Sequence, residues 1–136
     1  MLTLDDLALH FQRHDPFSRQ LGVRLLSIEE GHSIAEMPLD ERHSNGMGNA
    51  HGAAIFTLID FAFAAASNAD GIYRVTAQSS VSFLRPGRKG PLRGEARCVR
   101  PGHHLGTYEV RVTDAEGSLI AIATLTSSNT GQKIPL

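Results

Sequence analysis

Hydrophobic positions recur along the chain with two different periods, and the change of period separates helices from strands. Leu4, Leu7, Ala8 and Phe11 stand at i, i+3, i+4 and i+7, which is one face of a helix. Thr3 followed by Asp6 makes a capping-box-like start and Pro16 ends the segment, so an amphipathic helix is predicted over 3–15. Two strands, 23–28 and 33–38, flank the turn Glu29-Glu30-Gly31-His32, and 40–50 is a loop dense in Asn and Gly. From Gly52 as far as Asn68 there is no further Gly or Pro, and Ala53 to Ala66 is apolar but for Thr57 and Asp60. A helix that is apolar around its circumference has to be wrapped by other elements.

After Gly71 the period becomes two. Over 72–84, Val75, Ala77, Val81 and Phe83 share one face, and Arg74, Thr76, Gln78, Ser80 and Ser82 the other. Further strands are predicted at 92–99, 105–113 and 118–126, the last two joined by the hairpin turn Asp114-Ala115-Glu116-Gly117. Short turns join antiparallel strands, because parallel neighbours need a long crossover. The expected fold is α+β: about six antiparallel strands curled around one long helix.

The length of 136 residues suits one domain, 1–136, with a core of its own. Hydrophobic residues at 41% and charged residues at 20% are ordinary globular usage, which excludes disordered and fibrous classes. A net charge of -1 argues against a nucleic-acid or membrane-surface binder. The single cysteine, Cys98, forms no internal disulfide and reads as a small core residue in a reducing setting. The apolar stretch with Asp60 inside it is too short to span a bilayer, no segment reads as an export signal, and a cytoplasmic location is expected. None of the seven histidines falls in a metal-ligand spacing; His10 and His14 read as a surface pair and His103-His104 as a surface turn. No metal or cofactor is expected. Gly46-x-Gly48-x-x-x-Gly52 is no dinucleotide loop, because strands follow it where a βαβ unit is needed.

Asp60 is the chemical anomaly. A carboxylate amid apolar residues is costly unless it is paired or protonated, and its helix neighbours Phe56, Phe63 and Ala64 offer no cation. It could meet Arg74 across the sheet or cap a loop; a reactive group is the reading favoured here. At the start of the same helix, Gly52 leaves unpaired backbone N–H groups open to close approach, with Asn45 and His51 nearby. Such donors suit a carbonyl oxygen that gains negative charge. An N–H at one end of the helix and a carboxylate two turns on fit hydrolysis of an activated acyl group. A thioester fits best, since its thiolate leaves without a strong general acid. There is no Gly-x-Ser-x-Gly elbow or evident triad to suggest otherwise.

Asn45, His51-Gly52-Ala53-Ala54-Ile55-Phe56-Thr57-Leu58-Ile59-Asp60 and the apolar run after it resemble the signature of the hotdog-fold thioesterases of the phenylacetic-acid-degradation (PaaI-like) family. The likeness continues through Val81-Ser82-Phe83-Leu84-Arg85-Pro86-Gly87 and Gly106-Thr107-Tyr108-Glu109-Val110, and covers roughly 17–127. It implies Asp60 as general base or nucleophile, the Gly52 N–H as polariser of the thioester carbonyl, Asn45 as a positioning residue and Thr76 as the hydroxyl that holds water. His51 is expected to shape the loop. The resemblance also implies a site built across a dimer, within a homodimer or homotetramer. An aryl- or medium-chain acyl-CoA is the implied substrate. Two departures stand out: His51-Gly52-Ala53 replaces the usual His-Gly-Gly, and the tail carries only Lys133 where several basic residues are common.

Charge is uneven along the chain. Residues 1–70 hold 4 basic and 10 acidic residues, and 71–136 hold 9 and 4. Arg85, Arg88, Lys89, Arg93, Arg97 and Arg100 cluster in sequence, and Arg88 and Lys89 are the expected contacts for the coenzyme A phosphates. Two alternatives stand beside hydrolysis: a hotdog hydratase or dehydratase of acyl thioesters, for which only His51 is available, and a non-catalytic acyl-CoA-binding protein.

Overall fold

A computed structural model describes residues 3–136. Helix α1 (Leu4–His14) starts in a true capping box, Thr3 Oγ1 accepting from the Asp6 N–H at 3.1 Å and Asp6 accepting from the Thr3 N–H at 3.1 Å. Pro16 does more than end it. It opens a second short helix, α2 (Pro16–Gln20), which Asp15 caps through the Ser18 N–H at 3.0 Å. Strands β1 (Arg24–Glu29) and β2 (His32–Met37) form a hairpin, with Gly31 at φ 76° in its turn. A loop with one 3-10 turn (Glu41–His43) leads to α3 (Gly52–Ser67). Then follow β3 (Ile72–Phe83), β4 (Leu92–Arg100), β5 (Leu105–Thr113) and β6 (Leu119–Lys133).

All pairings are antiparallel, in the order β1-β2-β4-β5-β6-β3. The expected α+β hotdog arrangement is present: one six-stranded sheet packed on one central helix. The inward residues of the sheet meet the apolar flank of α3, with Met37, Leu58, Leu92, Val110 and Leu125 all 0% exposed. Gly94 allows the closest approach, since a Cβ there would stand 3.1 Å from Leu58 Cγ.

Three expectations need correction. Strict alternation fails in β3, because Thr76 pairs with Ser127 while Gln78 pairs with Thr126, leaving Ala77 as an extra residue. This bulge turns Thr76, Val81 and Phe83 to the same side, opposite the inward Ser127, Ala123 and Ala121. The last strand runs to Lys133 instead of stopping at 126, and its end is tied down by the Ile134 N–H on the Gly71 carbonyl at 2.8 Å. His10 is buried, not a surface residue. Its ring stacks on His14 at 4.4 Å, and its Nε2 lies 3.4 Å from the Tyr73 hydroxyl.

The two edges of the sheet differ. On β1, α1 packs alongside and Gln12 Oε1 accepts the Leu25 N–H, so part of that edge is satisfied. The β3 edge is long, with Val75 54% exposed and Ala77, Gln78, Ser79 and Ser80 open beside it.

Candidate active site

The start of α3 is organised by side chains of the preceding loop. Asn45 Oδ1 accepts the N–H groups of Met47 (2.9 Å) and Asn49 (3.1 Å), closing the Gly-rich turn on itself. The His51 N–H donates to the His43 carbonyl at 2.6 Å, and His51 Nδ1 accepts from the Ala53 N–H at 3.0 Å as the helix cap. The next donor, the Gly52 N–H, finds no acceptor among the described residues. It lies at a cavity of about 370 Å³ lined by Asn45, Met47, Ile55, Phe83 and Arg85. Met47 is 82% exposed there. An unpaired N–H with the positive end of a 16-residue helix behind it is a ready donor to a developing oxyanion.

Asp60 does not lie deep in the core. The sheet covers most of α3 but leaves one stripe open, and Ala53, Phe56, Asp60 and Ala64 occupy it at helical spacing. The carboxylate tip therefore reaches solvent, while its stem sits among apolar neighbours. Partial desolvation pushes its pKa above the ordinary carboxylate value, the Thr76 hydrogen bond pulls it partly back, and the nearby Asp15 charge adds to the rise. Thr76 Oγ1 donates to Asp60 Oδ1 at 3.1 Å, which the β3 bulge makes possible. The cation that could have neutralised Asp60 is used elsewhere: Arg74 grips Asp70 through two bonds of 2.7 and 2.8 Å and donates to the Ser67 carbonyl. Among the described residues, Asp60 is thus a carboxylate held by one hydroxyl and no cation.

The structure brings Asn45, His51 and Gly52 together at one end of α3 and Asp60 with Thr76 at another point. Eight residues of helix separate Gly52 from Asp60, roughly 12 Å at 1.5 Å per residue. One chain cannot bring both to the same carbonyl.

The basic cluster is dispersed. Arg93 and Arg97 project from the outer face of β4 and pair with Glu36 (3.5 Å) and Glu95 (2.9 Å). Arg88 Nε donates to Asn49 Oδ1 at 2.8 Å, and Lys89 pairs with Glu116 at 2.8 Å. Arg85, which was not singled out as a contact, lines the cavity by Gly52, as do Met47 and Phe83. A methionine stranded in an Asn-Gly loop was the available signal for that apolar rim. No group of three His, Cys, Asp or Glu side chains among the described residues is placed to hold a metal ion. No helix among them is long and apolar enough to cross a membrane.

Comparison with known proteins gives the same outline. Residues 47–121 match the family model described as "Thioesterase superfamily". The chain is 30% identical over 110 residues to the acyl-coenzyme A thioesterase PaaI of Escherichia coli (strain K12), covering 80% of this chain and 79% of that one. The solved structure of the E. coli PaaI protein from the phenylacetic acid degradation operon superposes with a TM-score of 0.88 at 28% identity, over 98% of this chain and 100% of that one. A Streptococcus mutans UA159 protein bound to acetyl CoA is 34% identical, with a TM-score of 0.77 over 83% of this chain and 91% of that one.

Proposed function

The chain belongs to the thioesterase superfamily as one of its PaaI-like hotdog members, and from that premise we propose that it is an acyl-CoA thioesterase acting on aryl- or medium-chain acyl groups. The observation that carries this reading is Asp60, a carboxylate on an open stripe with a hydroxyl partner and, among the described residues, no cation. It is free to act as general base toward water or as nucleophile toward the acyl carbon. Thr76 orients the attacking group, and the unpaired Gly52 N–H receives the carbonyl oxygen as it becomes negative. The thiolate of coenzyme A departs without an acid, which suits a site that offers none.

The roughly 12 Å between Gly52 and Asp60 on one helix requires two copies of the chain for each site. Asp60 and Thr76 come from one copy, and the Gly52 N–H, with the loop that Asn45 and His51 shape, from the other. The open β3 edge supplies the means of pairing, since an unpaired strand edge is a template for another. The assembly is a homodimer or a pair of such dimers. Arg88 and Lys89, beside the loop that carries Asn49, are the proposed contacts for the phosphates of coenzyme A, with no nucleic-acid or membrane partner. In the hydratase reading His51 would have to be the catalytic base, but its Nδ1 is committed to the Ala53 N–H.

Thiol release from a panel of acyl-CoAs tests the proposal. Turnover that disappears in Asp60→Asn, in a protein that still folds and pairs, supports it. Conversion without thiol release, or binding without turnover, overturns it.

A further inference from the structure

At the other end of α3, away from Gly52, a cavity of about 340 Å³ opens between the β1–β2 turn and the β4–β5 turn. Cys98 packs against the core as a small residue, as expected, but it is partly exposed and lines this cavity. Its neighbour Val99 is an extra residue in β4, so the ladder with β5 is disrupted immediately after the cysteine. Directly across that ladder stands Tyr108, 7% exposed, its ring edge-on to Phe63 at 5.3 Å. Tyr108 lines the cavity, and its hydroxyl has no nitrogen or oxygen partner among the described residues, only the Cys98 thiol within hydrogen-bonding reach. Burial pushes this phenol up to about 12, so it stays a hydrogen-bond donor at any ordinary pH. Ser127, 2% exposed, adds a second hydroxyl: its oxygen accepts the Gly106 N–H at 3.1 Å and its proton is left to donate. The mouth has a different character. Glu30 and Asp70 are there with Arg74, which pairs with Asp70 and donates to the Ser67 carbonyl, so Glu30 is the carboxylate at the mouth without a cation among the described residues.

We propose that this cavity is a thiol-modification site, in which Cys98 exchanges with small neutral disulfides whose amide oxygen accepts from the Tyr108 and Ser127 hydroxyls. The Cys98 thiolate attacks one sulfur of the disulfide, a new S–S bond forms as the old one breaks, and the departing thiolate takes a proton from water. The small disulfide is the oxidant, one half leaving reduced while Cys98 is oxidised. The hydroxyl donors inside select a neutral acceptor such as an amide, and Glu30 at the mouth, with Asp70 neutralised by Arg74, disfavours an anionic disulfide. The adduct would lie close to Thr76, because Ser127 is its cross-strand partner.

The test is thiolation of the intact protein by pantethine, a neutral amide disulfide, and by glutathione disulfide, followed by mass spectrometry and peptide mapping. Methyl methanethiosulfonate, too small to need the donors, reports plain access to the sulfur. A single pantetheine adduct at Cys98 is expected, absent in Cys98→Ser and formed faster than the glutathione adduct. Tyr108→Phe keeps the ring against Phe63 and removes the hydroxyl; it should slow pantethine about tenfold, the worth of one hydrogen bond, and leave methyl methanethiosulfonate unchanged. No adduct at Cys98 overturns the proposal, as does a faster reaction with glutathione disulfide. So does a Tyr108→Phe protein that reacts with pantethine like the parent, or one in which both reagents slow equally, since the phenol would then be structural only.

Discussion

The wrapped flank of α3 and its bare stripe are made of nearly the same residue types. Phe61, Ala62 and Ala65 are buried under the sheet, while Phe56, Ala53 and Ala64 line the open side with Asp60 among them. What differs is what lies opposite. The flank meets the inward side chains of the chain's own strands, whereas the stripe is only partly covered, with Thr76 touching Asp60 and Phe56 leaning on the edge of the core. Apolar residues on a partly covered stripe point to cover from another molecule, and a carboxylate there can be desolvated on assembly without being buried in the folded monomer. Substitutions on the flank should therefore act on folding, and substitutions on the stripe on turnover.

The largest contrast is expected between two residues only two apart. Asp60→Asn should lower thiol release on the order of 10³-fold, within the range that a positioned acid or base supplies, with the melting temperature held or raised. Leu58→Ala, on the flank and 0% exposed, should cost about 3 kcal/mol of stability by emptying the space under Gly94, read by denaturant unfolding. A stable Asp60→Asn protein that keeps full turnover would erase the distinction between the two sides.

Cover for the stripe can be tested next. Val75 and Ala77 lie on the open β3 edge, and replacing both with Glu puts like charges where two copies would meet. The mass in solution, by light scattering, should fall toward that of one chain, and thiol release should fall with it. Melting temperature should change little, because neither residue belongs to the core. A monomer with full activity would refute a site shared between copies.

Much of this contrast was legible in the residues. The all-apolar run after Gly52 demanded wrapping, and short turns demanded antiparallel strands, so helix and sheet could be read directly. Asp60 and Gly52 were legible as candidates as well, because a carboxylate in an apolar run and a glycine at a helix start are local anomalies, whereas the role of Asn45 came from the resemblance. The bulge at Ala77 was not, because a period-two pattern counts residues and cannot register one that the partner strand skips. The depth of Asp60 was also misread: hydropathy reports that a helix needs cover on all sides, not whether the cover comes from the same chain. The basic cluster of the sequence is dispersed in space for a related reason, since alternate residues on β4 point outward to Glu36 and Glu95 and away from the loop that holds Arg85 and Arg88.

Thr76 sharpens the comparison on a smaller scale. Among the described residues its hydroxyl is the one polar contact that holds the Asp60 carboxylate, and it acts to lower that group's pKa. Thr76→Val keeps the shape of the strand and removes the bond, so turnover should fall about tenfold, the effect of one lost hydrogen bond. The acidic limb of the pH–rate profile should also move. Activity needs the carboxylate, so it rises with pH through the raised pKa of Asp60, and Thr76→Val should shift that rise to higher pH. An unmoved limb would mean that Thr76 does not act through Asp60.

The smallest effect is on stability, and its sign separates a strained carboxylate from a paired one. The pKa of Asp60 in the folded chain is raised above the ordinary 3.8, so between 3.8 and that raised value the folded state binds more protons than the unfolded one. Stability should therefore decline as pH climbs through this window and level off above it, the opposite of a salt-bridged carboxylate such as Asp70, whose pKa is lowered and whose contribution is lost as pH falls. Asp60→Asn removes the first contribution alone. Melting curves of parent and variant, recorded from acid to neutral pH, should diverge upward in favour of the variant. A variant that loses ground as pH rises would show that the Asp60 charge stabilises the fold, and the bare stripe would then be architecture.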